Sequence, residues 1–210
     1  MSMFGAAAPA ARGGPALFPK SLSMLALWGF MLRRGPLLGP ILQHADDISA
    51  LRQAFISANI SDAMALMDPM LYFAAEAVAD FRRVGCYETS LQSGHILFLD
   101  HHSTLIIWSG ADTDGAKFEP IRETARRVAA AAADGRCPRP LVLEVVEGTS
   151  MTRWLQARLI PDHKDSPTEQ RQHNAAALQG MEDGALQVMM GKFFQTDDLS
   201  FVQYLPAYLV

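Results

Sequence analysis

His95-Ile-Leu-Phe-Leu-Asp-His-His-Ser-Thr-Leu-Ile-Ile-Trp-Ser109 decides the fold. Two β-prone apolar runs, His95–Leu99 and Thr104–Trp108, flank a short polar turn, which reads as a β-hairpin. Leu141-Val-Leu-Glu-Val-Val146 gives a second β signal. Arg153 to Ile160 alternates sides before Pro161 and reads as a third. Between them the period is helical: Phe118, Ile121, Ala125, Val128 and Ala132 share a face, and Gly135 is placed to stop the helix. Asp162 to Arg171, with Pro167 inside it, reads as a polar loop. Asp197 and Asp198 are positioned to cap a last helix over residues 199–209.

Ahead of the hairpin the pattern is helical from Leu17 to about Tyr72. Leu22, Leu25, Trp28, Met31 and Leu32 form one stripe, broken at Gly35-Pro36. Asp46 or Asp47 is expected to cap a second helix, with Ile48, Leu51 and Phe55 on one face. Ser61 is expected to cap a third, which runs through Met64 and Met67 to Pro69. The expected fold class is α+β: a small helical domain, then a domain with a central mixed sheet flanked by helices. The boundaries fall at 1–15 for a low-complexity tail, 16–83 for the helical domain and 84–210 for the sheet domain. A unit as small as the first cannot bury itself and must lean on the second or on another chain.

Composition excludes several function classes. Half of the 210 residues are hydrophobic, only 19% are charged, and the formal net charge is -4. That builds a core, and it argues against a nucleic-acid binder, which advertises a basic surface. Two cysteines, Cys86 and Cys137, make neither a four-cysteine zinc site nor a secreted disulfide framework. No stretch approaches the roughly 18 apolar residues of a membrane span. Asp100-His101-His102 is the polar cluster to check for metal, against its reading as a hairpin turn. Asp112 and Asp114 are too slight a pair for calcium. No Ser/His/Asp order or phosphate-cradling glycine loop stands out, so no catalytic site of its own, cofactor or metal is expected.

Several short segments, in order, resemble the C-terminal end of the GTPase-activating subunit of the coat protein complex II (COPII) inner vesicle coat. They are Leu17-Phe-Pro19, Phe30-Met-Leu-Arg-Arg34, Asn59 to Tyr72, the runs Leu97–Asp100 and Leu105–Gly110, and Thr196-Asp-Asp-Leu-Ser-Phe201. Residues 36–58 and 74–94 match poorly. The resemblance implies that the sheet domain is gelsolin-like. It also assigns the residues before position 45, which contain no acid, to an Ala/Gly-rich tail rather than an organelle transit peptide.

Glu147-Gly-Thr-Ser-Met-Thr-Arg-Trp-Leu-Gln-Ala-Arg-Leu-Ile-Pro161 is similar to the family's Gly-x-Ser-x-x-Arg-aromatic-Leu element. There an arginine enters the nucleotide site of the coat-recruiting small GTPase. The resemblance gives that role to Arg153, acting in trans as the catalytic arginine. A guanidinium suits the task, since charge grows on the phosphoryl oxygens and such fingers supply roughly 10³ to 10⁵ in rate. On a regular strand Arg158 would face the opposite way.

The implied partners are the small GTPase, other coat subunits and the trunk part that full-length members carry. The implied place is the cytoplasmic side of the endoplasmic reticulum and COPII vesicles, with membrane association only through the coat. The family's zinc finger, β-barrel and trunk have no counterpart here. Three readings stand: a fragment, a separate subunit joining a split partner, or a non-catalytic structural piece of another assembly that kept the fold. A gelsolin-type actin or calcium binder is a weaker alternative.

Overall fold

The computed structural model describes residues 23–39, 44–192 and 197–208. Leu17-Phe-Pro19, Leu22, Thr196 and the residue 1–15 tail lie outside them. At the centre stands one five-stranded sheet in the order β2-β1-β3-β4-β5. Its strands are β1 (Met70–Phe73), β2 (Arg82–Val84), β3 (Ile96–Asp100), β4 (Thr104–Ser109) and β5 (Leu141–Val146). Every pairing is antiparallel except β4 with β5, which is parallel. A parallel neighbour needs a crossover, and α4 (Glu119–Asp134) provides it.

The β3–β4 hairpin is the expected one, in the register Leu97↔Trp108 and Leu99↔Ile106. Its side chains are buried on both faces. Leu97, Leu99, Ile106 and Trp108 join Leu71, Val145, Leu155 and Leu159 on one side. Ile96, Phe98, Leu105 and Ile107 meet Ala125, Ala129 and Ala133 of α4 on the other. Burial on both faces explains why these strands read as continuous apolar runs rather than as alternation. Gly135 closes α4 as its C-cap, as expected.

The helical part comprises α1 (Ser23–Arg34), α2 (Ala45–Ser57) and α3 (Ile60–Met67). On α1 the buried residues are Ala26, Phe30 and Met31, while Leu25 is 46% exposed. The expected stripe is therefore rotated, because Phe30 turns toward the last helix, α9 (Phe201–Tyr208). There its ring lies 5.6 Å from Phe201 and 5.1 Å from Tyr204. Arg34 completes the contact with Asp198 at 3.0 Å. The helical part thus leans on the end of the chain. Leu51 carries the buried face of α2 as expected, with Phe55 and Ile48 half-buried.

The caps differ from expectation. Asp46 and Asp47 sit in the first turn of α2, after the N-cap His44. Asn59, not Ser61, caps α3 by accepting from the Asp62 N–H. The Ser200 hydroxyl, not Asp197 or Asp198, caps α9 by accepting from the Gln203 N–H.

Three stretches read otherwise are corrected. Met70–Phe73, counted up to about Tyr72 within the helical stretch although the third helix was expected to stop at Pro69, is β1, with Leu71 and Phe73 alternating into the core. Arg153–Ile160, expected as a strand, begins with the one-turn helix α5 (Thr152–Gln156). The expected loop at Asp162–Arg171 gives way at Pro167 to α6 (Pro167–His173). Its Ser166/Glu169 capping box and Pro167 at the first turn are helix-start signals. α7 (Ala175–Leu178) and α8 (Asp183–Met190) follow.

A buried polar network ties α6 and α7 to the segment after β2. Asp162, fully buried, accepts from the Thr89 N–H and hydroxyl at 3.2 and 2.6 Å. Asn174 donates to Thr89 and Ser90, and Glu88 meets His163 at 2.7 Å. Burial outweighs the Thr89 bonds and pushes the Asp162 carboxyl up to about 8. The folded chain therefore holds this proton more tightly than the unfolded chain, and stability falls as pH rises toward 8. Asp165 is raised in the same way only to about 6, and burial also raises the neighbouring Glu88, which adds a fall of the same sign. Burial lowers His101 from its ordinary value of 6.5, which acts in the opposite sense below that pH. Chemical denaturation between pH 6.5 and about 8 should show a loss of up to about 2 kcal/mol. Asp162→Asn should flatten the profile. Equal slopes in both proteins would remove Asp162 from the account.

Candidate functional site

β5 is an edge strand, and its carbonyl end delivers the chain into the Glu147-Gly-Thr-Ser turn. The Val146 carbonyl gathers three donors: the Thr149 N–H at 3.2 Å, the Thr149 hydroxyl at 2.8 Å and the Thr152 hydroxyl at 3.2 Å. Glu147 pins the turn from the other side. One carboxylate oxygen accepts from the Ser93 hydroxyl at 2.9 Å, and the other from the Ala111 N–H at 2.8 Å. Gly148 takes φ +80°, a left-handed conformation that a Cβ would penalise. The turn is thus fixed at both ends before α5 begins.

α5 buries Thr152, Leu155 and Gln156 and turns the rest outward. Arg153 is exposed, Trp154 is 41% exposed and Met151 37%. After α5 the chain returns to the fold at Ile160, whose N–H donates to the Cys86 carbonyl at 2.7 Å. Arg153 therefore stands on a single exposed turn of helix, braced behind by a strand end and ahead by this bridge.

Arg158 occupies a different environment. It is 3% exposed and donates to the Trp154 carbonyl at 2.7 Å and the Thr104 hydroxyl at 3.2 Å. The contrast expected of the two arginines holds, but for another reason than strand alternation. Thr152, Leu155, Gln156 and Leu159 are buried at spacings of three, four and seven, a helical period that the alternation concealed. Glu147 as an anchor was not foreseen. A carboxylate beside a glycine turn at a strand end was the available signal.

Asp100 ends β3, and His101 and His102 make the hairpin turn that follows. Asp100 takes a two-pronged ion pair from Arg136, 2.7 Å to each oxygen. It also accepts the His102 N–H at 2.9 Å, while His102 adopts φ 48°. His101 is fully buried against the Leu66 carbonyl, and burial drives its imidazole down to about 3, so it is neutral. Among the described residues no group of three His, Cys, Asp or Glu is placed to hold a metal ion. A cleft of about 470 Å³ lies between α2, α3 and α4, lined in part by Asn59, Asp62, His102, Arg136 and Cys137. Its arginine is already committed to Asp100. Among the described residues no helix is long and apolar enough to cross a membrane.

No family model matches the chain. In sequence it is similar to Protein transport protein SEC23 A of Arabidopsis thaliana, with 33% identity over 190 residues, 90% of this chain and 21% of that protein. In fold it is similar to the human COPII-coat protein Sec24c, with a TM-score of 0.56 at 17% identity, over 67% of this chain and 21% of that one. The chain thus spans about a fifth of the length of the curated relative it matches.

The turn geometry makes a specific demand at Gly148, where an added Cβ meets no atom within 4 Å. Gly148→Ala should therefore cost about 1 kcal/mol through the backbone alone. Gly148→Asn, which tolerates the left-handed region, should cost clearly less. Urea denaturation of the two variants checks this, and equal stability of all three proteins would show that the turn does not need this conformation.

Proposed function

Because the chain corresponds over nine tenths of its length to the C-terminal region of a Sec23/Sec24-like protein, we propose that it is a COPII inner-coat component acting in transport from the endoplasmic reticulum to the Golgi. Within that coat it works as a GTPase-activating module, and Arg153 is the arginine it lends to the coat-recruiting small GTPase. The site of action is the cytoplasmic face of the endoplasmic reticulum, reached through the coat. In this reading the nucleotide, its metal and the attacking water belong to the partner's active site.

The observation that carries this reading is the exposed one-turn helix bearing Arg153 and Trp154 on an anchored turn. A trans-acting arginine must reach a partner's active site yet arrive in one orientation, because its worth depends on placement. A long side chain on a short projecting helix satisfies the first need. The Val146 carbonyl and Glu147 serve the second by fixing where that helix starts. The guanidinium then offers several directed donors to the oxygens on which charge grows. Surfaces of the remaining coat, including the trunk, hold the two proteins together.

Single-turnover GTP hydrolysis by the coat GTPase tests the reading. Saturating chain, with the other coat subunits present, should accelerate hydrolysis by roughly 10³-fold or more, and Arg153→Ala should abolish the acceleration. Acceleration that survives Arg153→Ala would move the finger elsewhere. A folded wild-type chain without effect would favour the structural, non-catalytic role.

A further inference from the structure

Arg158 presents an anomaly. Arginine is almost never fully buried unless a counter-charge accompanies it. Yet Arg158 is 3% exposed and meets no carboxylate in any ion pair among the described residues. Its Nε is buried with no hydrogen-bond partner among them. Burial brings its guanidinium down to about 10, which leaves it charged at neutral pH. The neighbouring His101 is neutral and offers no compensation. A charge kept at such a cost does something other than stabilise the core.

Its contacts show what. One guanidinium nitrogen donates to the Trp154 carbonyl inside α5, and another to the Thr104 hydroxyl at the start of β4. The same group lies 5.6 Å from the centre of the Trp154 ring, within the range of a cation–π contact. The fork therefore joins the exposed helix, its exposed aromatic and the central sheet. α5 is five residues long, too short to hold itself by its own hydrogen bonds. Beneath it the Gln156 amide is also buried without a partner among the described residues. Apolar packing under α5 is left to Leu155 and Leu159.

We infer that Arg158 is a positioning residue that clamps α5 to β4 and so sets the angle at which Arg153 and Trp154 leave the surface. Its purpose rests on the finger reading above; the clamp itself is a property of this chain. Lysine cannot reproduce it in full, since one ammonium lacks the planar fork that spans two acceptors and faces a ring.

Hydrogen exchange of the full chain tests the clamp directly. Arg158→Met keeps the stem volume and removes the unpaired charge, so its thermal midpoint should be unchanged or raised. Amides over residues 152–159 should nonetheless exchange about tenfold faster. With the coat GTPase, the maximal stimulated rate should fall about tenfold while the half-saturating chain concentration stays the same. Arg158→Lys should recover part of both. Should Arg158→Met fail to fold, Thr104→Val removes the sheet end of the clamp and should loosen the same amides to a smaller degree. Unchanged exchange in the folded variants overturns the inference. Faster exchange in a chain that never stimulates hydrolysis upholds the clamp and sinks only the finger reading.

Discussion

β3 and β4 bury side chains on both faces, and that constraint organises everything around them. A sheet buried on both faces must be covered on both. The alanine-lined face of α4 can approach one side closely because Ala125, Ala129 and Ala133 present nothing larger than a methyl group. The same helix is the crossover that delivers β5 parallel to β4, so covering the sheet and creating its edge strand are one act. The other face is closed by Leu155, Leu159, Leu91 and Ala177, which come from the segments following β5 and β2. α5 is consequently anchored by burial below and left bare above.

From this follows the character of the site. Edge strands are where sheets terminate in turns that can carry function, since the scaffold supplies rigidity and the loop supplies reach. Here the Val146 carbonyl, with three donors, ends β5, and the Glu147 carboxylate ties the turn to Ser93 and Ala111. Arg153 and Arg158, five residues apart, lie in opposite environments: one exposed at the surface, one buried against the sheet. The inward arginine carries a burial cost that no carboxylate among the described residues offsets.

The hairpin, α4 with its glycine stop, β5 and the face of α2 were legible because hydrophobic periodicity over those stretches is long and agrees with tertiary burial. α5 was not. One turn of helix is too short to establish a period, and Arg153-Trp-Leu-Gln-Ala-Arg158 satisfies alternation as well as it satisfies Thr152, Leu155, Gln156 and Leu159 facing inward. β1 was hidden by the helix before it, and α6 by a proline that marks a helix start as readily as a loop. Arg153 was singled out through resemblance. The burial of Arg158 was not, since nothing local announces that a sheet hydroxyl and a backbone carbonyl will enclose it.

The central claim is that the α5 surface faces the nucleotide site of the coat GTPase. The most direct measurement is site-specific photo-crosslinking from position 154, which leaves Arg153 intact, with the GTPase loaded either with a non-hydrolysable GTP analogue or with GDP. The account predicts adducts that map to the nucleotide-binding segments of the GTPase and form only in the triphosphate state. Adducts that are absent, or that form equally in both states, would contradict it.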